Sequence, residues 1–508
     1  MKHCVVCFTL CSLLLAAAAC RRDLVPDSVL EGLHKPVIKG LAPARVQFNG
    51  SDFGLSVLLS TEDPQYVLYV NGRRIGLARP GYWGGSVFFR ISKELVGDLL
   101  GSSAGGATLS VRVTGIGEEY DISDDFDRYR DYVSEPFPLA VERGTTKFTT
   151  VGPLFPEWTR SSMPLIRCDA AGNLYLTWLE ALDDVDQAFF CFSTDEGRSW
   201  SQVLNISRTS APVCEPDLAV DGAGHFYMAW MANHGQRWEV FFSRSTDNGA
   251  TWHLPKRLSP EGVDAKWPAL AVDDRGGVFL AWQQSVTGGL AVMLASSHDL
   301  GASWSQRSFP VTAVMDNWKP LLATRAGMRI DLFIGRSGDP GTVDIHSSSD
   351  YGATWMMRTI AFGECFPSSE RHAVRYGEGE PLCLYWSGVS YAGHTFSLWN
   401  YLLTRSSAGA WSAIQDLKDW SPTSESKFSV VPQGERVDAV LGTACCLYLL
   451  RSVDGAKTWG VPETVAGADG ESTSHFPDAV LHPSGRTYLV FVRKEAAGKC
   501  SLHLTAYD

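Results

Sequence analysis

The chain has 508 residues, 45% of them apolar and 20% charged, with a formal net charge of −12. That composition supplies a large buried core and excludes disorder, and the absence of any Lys/Arg-rich block argues against a nucleic-acid partner. With 48 Gly, 25 Pro and 17 Trp, many short strands joined by turns are expected, which excludes long coiled coils and multi-span membrane proteins.

At the amino end, Lys2 and His3 precede an apolar run from Val5 to Ala19, the length of a signal-peptide core and too short to span a bilayer comfortably. The run ends Leu15-Ala-Ala-Ala-Ala19-Cys20. Small residues followed directly by Cys resemble a bacterial lipobox. The resemblance implies removal of residues 1–19, acylation of Cys20 and attachment to a membrane through that lipid. An ordinary signal peptide cleaved near Ala19 is the alternative. Arg21 follows the Cys where an inner-membrane retention signal has Asp, so an outer-membrane or cell-surface location is favoured. Residues 20–34 read as a tether. Among the remaining cysteines no CxxC pair occurs, so neither a metal nor another cofactor is expected. Isolated strand cysteines such as Cys191 and Cys383 read as buried thiols.

Residues 35–142 read as strands and turns. Tyr66–Val70 and Arg73–Leu77 flank Asn71-Gly72, a strong two-residue hairpin signal. Ser86–Arg90 and Thr108–Val113 alternate as half-buried strands do. The closing Ser134-Glu-Pro-Phe-Pro-Leu-Ala-Val141 is similar to the last strand of bacterial Ig-like (IPT/TIG) domains, which implies a β-sandwich acting as a spacer.

From 145 to 508 the chain repeats. Ser193-Thr-Asp-Glu-Gly-Arg-Ser-Trp200 returns as Ser245-Thr-Asp-Asn-Gly-Ala-Thr-Trp252, Ser297-His-Asp-Leu-Gly-Ala-Ser-Trp304 and Ser348-Ser-Asp-Tyr-Gly-Ala-Thr-Trp355, with Trp spacings of 52, 52 and 51. Two decayed copies follow, Arg405–Trp411 without the Asp and Ser452–Trp459 with its Gly shifted. This pattern resembles the Asp-box, or BNR repeat, of sialidase-like β-propellers. The box chemistry is structural: Gly permits positive φ, Asp and Ser side chains satisfy loop N–H groups, and Trp buries a ring between sheets. Asp195, Asp247, Asp299, Asp350 and Asp454 are therefore read as scaffold, not as catalytic or calcium-binding groups.

A second unit sets the count. A hairpin from Met163 to Trp178 has copies beginning at Pro216, Pro268 and Pro320, and weaker ones at Arg371–Trp386, Lys427–Gly442 and Phe476–Val492. Seven hairpins but six complete sets are present. A strand within Thr145–Val151 can supply the missing outer edge, closing the ring from the amino side. The expected architecture is all-β, an Ig-like sandwich (35–142) followed by an Asp-box propeller (145–508), with seven blades favoured and six the alternative.

In propellers of this family ligands sit opposite the Asp-boxes, over the central channel. The loops there carry Glu180, Glu215, His234, Trp267, Gln283, Trp318, Lys319, Arg336, Arg371, His372, Tyr391 and Arg493. Aromatic rings beside polar groups suit a sugar, whose apolar face stacks while its hydroxyls are fixed. Ordinary loop composition is the alternative, and Trp178, Trp230, Trp282 and Trp386 at strand ends can equally be packing residues. A sialidase holds the substrate carboxylate with three arginines and attacks with a Tyr activated by a Glu. Its first arginine lies in an Arg-Ile-Pro motif, and here that place reads Ser162-Met163-Pro164. Arg336, Arg371 and Arg493 are the candidates for such a triad. The resemblance thus reaches the scaffold and stops at the catalytic residues. The reading is a lipid-anchored propeller that binds a glycan or protein ligand without catalysis. An exo-sialidase or other glycoside hydrolase is the rival, and an envelope assembly scaffold the third reading.

Overall fold

The computed structural model describes residues 35–60, 65–78, 86–101, 106–116, 133–273, 275–309, 319–325, 329–336, 342–361, 365–367, 373–376, 382–392, 395–405, 415–416, 427–442, 446–465, 477–494 and 498–508. For the strands between 361 and 428 the description is of the backbone. The signal run and Cys20 lie outside these residues. The chain divides into two compact units, one of residues 1–41, 56–89 and 108–139, the other of 42–55, 90–107 and 140–508.

In the first unit, Gln65–Val70 and Arg73–Ala78 form an antiparallel hairpin, and Gln65–Val70 also pairs with Ala107–Ile116. The turn at Asn71-Gly72 has φ of 50° and 79°, the left-handed pair that a tight hairpin needs and that Asn and Gly tolerate. Asn71 Oδ1 accepts the Ser110 N–H at 2.7 Å, holding the turn against the neighbouring strand. Every residue of Gln65–Val70 is buried, so both faces of this doubly paired strand are covered.

The second unit is a β-propeller. Antiparallel sheets succeed one another along the chain, beginning with Ser161–Cys168, Leu174–Leu182, Val185–Ser193 and Leu204–Asn205, and seven such sheets occur among the described residues. Their innermost strands are Ser161–Cys168, Val213–Val220, Ala265–Val272, Leu321–Arg325, Ala373–Tyr376, Lys427–Gln433 and Asp478–Leu481. Each neighbours the next, and the last neighbours the first. The final sheet is completed by Thr149–Val151, whose residues pair antiparallel with Leu504–Ala506, so the amino-side segment covers an edge that would otherwise be open. Arg45–Phe48, in the same unit, pairs in parallel with the outer strand Glu463–Thr464.

Apolar residues buried between successive sheets hold the ring together. Leu176, Trp178 and Phe189 of the first sheet pack on Val490, Leu502 and Leu504 of the last, and Phe190 with Leu179 packs on Phe226 and Trp230 of the second. Trp178, Trp230 and Trp282 are fully buried, so these strand-end indoles are packing residues. Truncating one such ring costs about 3–5 kcal/mol.

Side chains also cross between sheets at the hub. Asp217 Oδ2 accepts the Leu270 N–H of the third sheet at 2.9 Å. Ser429 Oγ accepts Ala479 N–H at 3.1 Å, and Asp478 Oδ2 accepts Ile166 N–H at 2.9 Å, which bonds the last sheet to the first.

Candidate functional site

The register separates two ends of every sheet. Ser193, which opens the first Asp-box, stands opposite Leu174 at the start of the second strand, whereas Ser161 stands opposite Glu180 near its end. Asp-boxes therefore lie at one end, and the starts of the inner strands with the second-to-third hairpins at the other.

At the box end, Ser193 Oγ donates to Asp195 Oδ1 at 2.7 Å and accepts Gly197 N–H at 2.8 Å, while Asp195 accepts Ser199 N–H at 2.8 Å and Ser199 Oγ–H at 2.6 Å. Asp247, Asp299, Asp350 and Asp454 repeat the pattern on Thr251, Ser303, Thr354 and Thr458. The hydroxyl and amide donors hold the Asp195 and Asp350 carboxyls down to about 2. Both oxygens of each box carboxylate accept from residues of the box itself, so the boxes act as scaffold. The box Trp packs on the preceding sheet: Trp252 lies 5.0 Å from Phe190, Trp304 4.9 Å from Phe242, and Trp355 5.2 Å from Phe309. In the decayed box the shifted Gly leaves Ala456 in the left-handed region (φ 66°), and its N–H still reaches Ser452 Oγ at 2.9 Å.

At the other end, the first three inner strands share an irregularity. Pairing breaks between Ser162 and Leu165, between Cys214 and Asp217, and between Lys266 and Ala269. In each break the residue before proline is left-handed: Met163 (φ 47°), Glu215 (φ 51°) and Trp267 (φ 61°). A residue preceding Pro is sterically driven to extended backbone, so each such position stores about 1–3 kcal/mol of strain. Lys319, before Pro320, takes the corresponding place in the fourth strand. The backbone device repeats but the side chains do not.

Two of those side chains meet. Lys319 Nζ lies 3.9 Å from Glu215 Oε2 and 3.9 Å from Asp217 Oδ2, two sheets away. Arg167 Nη2 lies 3.6 Å from Asp217, and its Nη1 lies 2.8 Å from Asp478. A chain of alternating charge thus runs from the fourth sheet through the second and first to the seventh. The Trp267 indole N–H is buried without an acceptor among the described residues. Arg167, Asp217 and Asp478 went unread in the sequence. The repeated Pro-Asp step at Pro216-Asp217 and Pro477-Asp478 was the available signal.

Residues 162–309 match the model of the BNR repeat-like domain. Within the propeller, that stretch is similar to BNR repeats. No curated protein matches the chain. Among solved structures the chain is similar to a protein of unknown function from Dyadobacter fermentans, at 14% identity over 71% of this chain and 97% of that one, with a TM-score of 0.45. It is similar to the BP39L lectin of Burkholderia pseudomallei, at 13% identity over 68% and 96%, TM-score 0.47. It is also similar to NanB sialidase of Streptococcus pneumoniae, at 11% identity over 89% and 83%, TM-score 0.37. These likenesses concern the fold.

The remaining candidate residues of the propeller are dispersed. Glu180 is buried, and its carboxylate accepts Arg160 N–H at 2.7 Å and Ser161 Oγ–H at 2.5 Å. Burial pushes its pKa up, but its oxygens are engaged in holding the start of the first strand. Gln283 is likewise buried, not displayed. His234 is exposed at a hairpin end, 5.5 Å from the Phe241 ring. Arg336 meets the buried carboxylate of Asp344 in its own sheet at 3.3 Å. Arg493 is half-buried, and its carbonyl accepts Ser501 Oγ–H at 3.5 Å. Trp318, Arg371 and His372 lie outside the described residues, and Tyr391 is described in backbone alone, within Leu382–Ala392. Of the thiols, Cys191 is buried and Cys168 half-buried, and desolvation pushes the Cys191 thiol up and that of Cys168 to about 12.

Proposed function

We propose that the BNR propeller is a non-catalytic receptor for a glycan, or for a protein presenting equivalent groups, gripped at the hub mouth around Glu215, Trp267 and Lys319. The observation that carries this reading is the repeated left-handed step before proline with a different side chain at each copy. A feature that repeats in backbone and side chain alike, such as the Asp-box, serves the scaffold. One that repeats only in backbone, at a cost in strain, presents side chains. The half-buried Trp267 ring offers an apolar face, Glu215 accepts hydroxyls, and Lys319 donates. Both Glu180 oxygens already accept bonds from the start of the first strand and the residue is 4% exposed, which weighs against an acid role for it.

The amino-terminal reading completes the proposal: lipid on Cys20 anchors an exported protein in the cell envelope, and the Ig-like strands space the propeller from the membrane. A glycan array with Trp267→Ala alongside the parent tests the hub. Loss of the indole face is expected to weaken binding about tenfold. A fluorogenic sialoside incubated with the same protein tests the rival. Turnover would favour the glycosidase, and array binding unchanged by Trp267→Ala would remove the hub from consideration.

A further inference from the structure

The hub mouth holds charged groups that face one another without touching. Lys319 Nζ stands 3.9 Å from Glu215 Oε2 and 3.9 Å from Asp217 Oδ2, with the sheet that bears Trp267 between theirs in the ring. A hydrogen bond from nitrogen to oxygen spans about 2.7–3.2 Å, so neither contact is one. Among the described residues, neither the Lys319 ammonium nor the Glu215 carboxylate has any hydrogen bond. Other ion pairs of the propeller close up: Arg167 reaches Asp478 at 2.8 Å, and Lys266 reaches Asp264 at 2.7 Å. The Lys319, Glu215 and Asp217 side chains are each 16% exposed, so solvent reaches them. The Trp267 indole nitrogen is enclosed, and the polar ends of Lys319 and Glu215 are not.

The separation is that of two groups sharing one oxygen atom. An N–H···O bond of about 2.9 Å and an O–H···O bond of about 2.7 Å, meeting at about 90° on one oxygen, set the outer atoms about 4 Å apart. The bridging atom must accept from the ammonium and donate to the carboxylate, because Lys offers donors alone and an ionised carboxylate acceptors alone. A hydroxyl does both. An ammonium brings no acceptor for Lys319, and a carboxylate brings no donor for Glu215 or Asp217. Lys319 has three N–H donors, enough for a bridge to each carboxylate, and Asp217 Oδ2 keeps a lone pair beside its bond from Leu270 N–H. Charge points the same way. The hub chain sets Glu215, Asp217 and Asp478 against Lys319 and Arg167, three carboxylates to two cations, which disfavours a further anion.

We propose, resting on the hub reading above, that the ligand is a neutral glycan held through two adjacent free hydroxyls. One bridges Lys319 to Glu215 and the other bridges Lys319 to Asp217. Because a single ammonium reads both, the two hydroxyls must be neighbours on the sugar. Acidic sugars are disfavoured by the same carboxylates that accept the hydroxyl protons.

The test is a glycan array carrying neutral, sialylated and sulfated glycans, probed before and after periodate oxidation and borohydride reduction of the printed glycans. Periodate cleaves the carbon–carbon bond between adjacent free hydroxyls, and reduction leaves each end an isolated alcohol. The parent protein is expected to bind neutral glycans and to lose at least about tenfold in signal after the treatment. Its binding should change little between about 0.05 and about 0.5 M NaCl, since the ligand carries no charge to screen. Lys319→Met keeps the aliphatic stem and is expected to weaken the same binding at least about tenfold. Should that variant fold poorly, Glu215→Gln keeps the size, loses the charge and is expected to weaken binding several-fold. The proposal is overturned if acidic glycans bind best, if binding survives oxidation, or if the folded variants bind as the parent does. In the last two cases, loss of binding in Trp267→Ala would keep the hub as the site and refute the hydroxyl pair alone. Absence of binding to every glycan also overturns the proposal and leaves the hub to a protein ligand.

Discussion

Ring closure at the hub rests on Asp478, and its removal is the sharpest test of the argument. This carboxylate accepts Ile166 N–H at 2.9 Å, Arg167 Nη1–H at 2.8 Å and Ser429 Oγ–H at 3.3 Å, so it bonds the seventh sheet to both the first and the sixth. Ile166 is fully buried. Asp478→Ala strands its N–H away from water at about 1–3 kcal/mol, and breaking a buried ion pair by deleting one partner costs about 3–5 kcal/mol. The two costs overlap, because Arg167 keeps the carbonyls of Leu218 and Ile166 and has Asp217 at 3.6 Å. A net loss of about 3–4 kcal/mol is expected. Asp478→Asn retains an acceptor for Ile166 and loses only the charge, for which about 1–2 kcal/mol is expected. Equilibrium urea unfolding followed by Trp fluorescence, with Arg167→Met and the double variant closing a cycle, measures both. A cost below about 1 kcal/mol for Asp478→Ala, or no coupling between the two positions, would refute the claim that this residue ties the ring shut.

Deleting Thr149–Val151 removes the strand covering Leu504–Ala506 and is expected to lower the denaturation midpoint and increase aggregation, read by light scattering. Asp247→Ala loses acceptors for Thr251 and Ser245 in an exposed loop, so about 1 kcal/mol of stability should go while binding per folded molecule is retained. The Asp195 and Asp350 carboxyls titrate below their unfolded value, so their stabilisation is full above about pH 4 and lost as pH falls toward 2. Melting temperature should therefore drop across that window. Glu180, raised by burial, acts in the opposite sense, its contribution fading as pH rises through its folded value. Cys20→Ser is expected to move the protein out of detergent-phase membrane fractions, and persistent partitioning would point to a retained apolar segment.

Sequence alone determined the parts of this protein whose interactions close within a few residues. An Asp-box is complete between Ser193 and Trp200, since its hydrogen bonds span two to four positions, and the Asn71-Gly72 turn is equally local. Such units repeat visibly because each copy needs the same residues for the same short-range reason. Tertiary structure decided which groups are displayed and which are engaged. Glu180 and Gln283 read as loop residues on a ligand face, but one is taken up by the start of its own sheet and both are buried by neighbouring strands. Arg336 was a candidate for a shared triad, but its local neighbour Asp344 claims it. The hub chain joins Lys319 to Asp217 and Arg167 to Asp478. Those relations depend on which sheets the ring brings side by side. A charge acquires its partner from whatever stands next to it in space, and a local pattern carries no record of that neighbour.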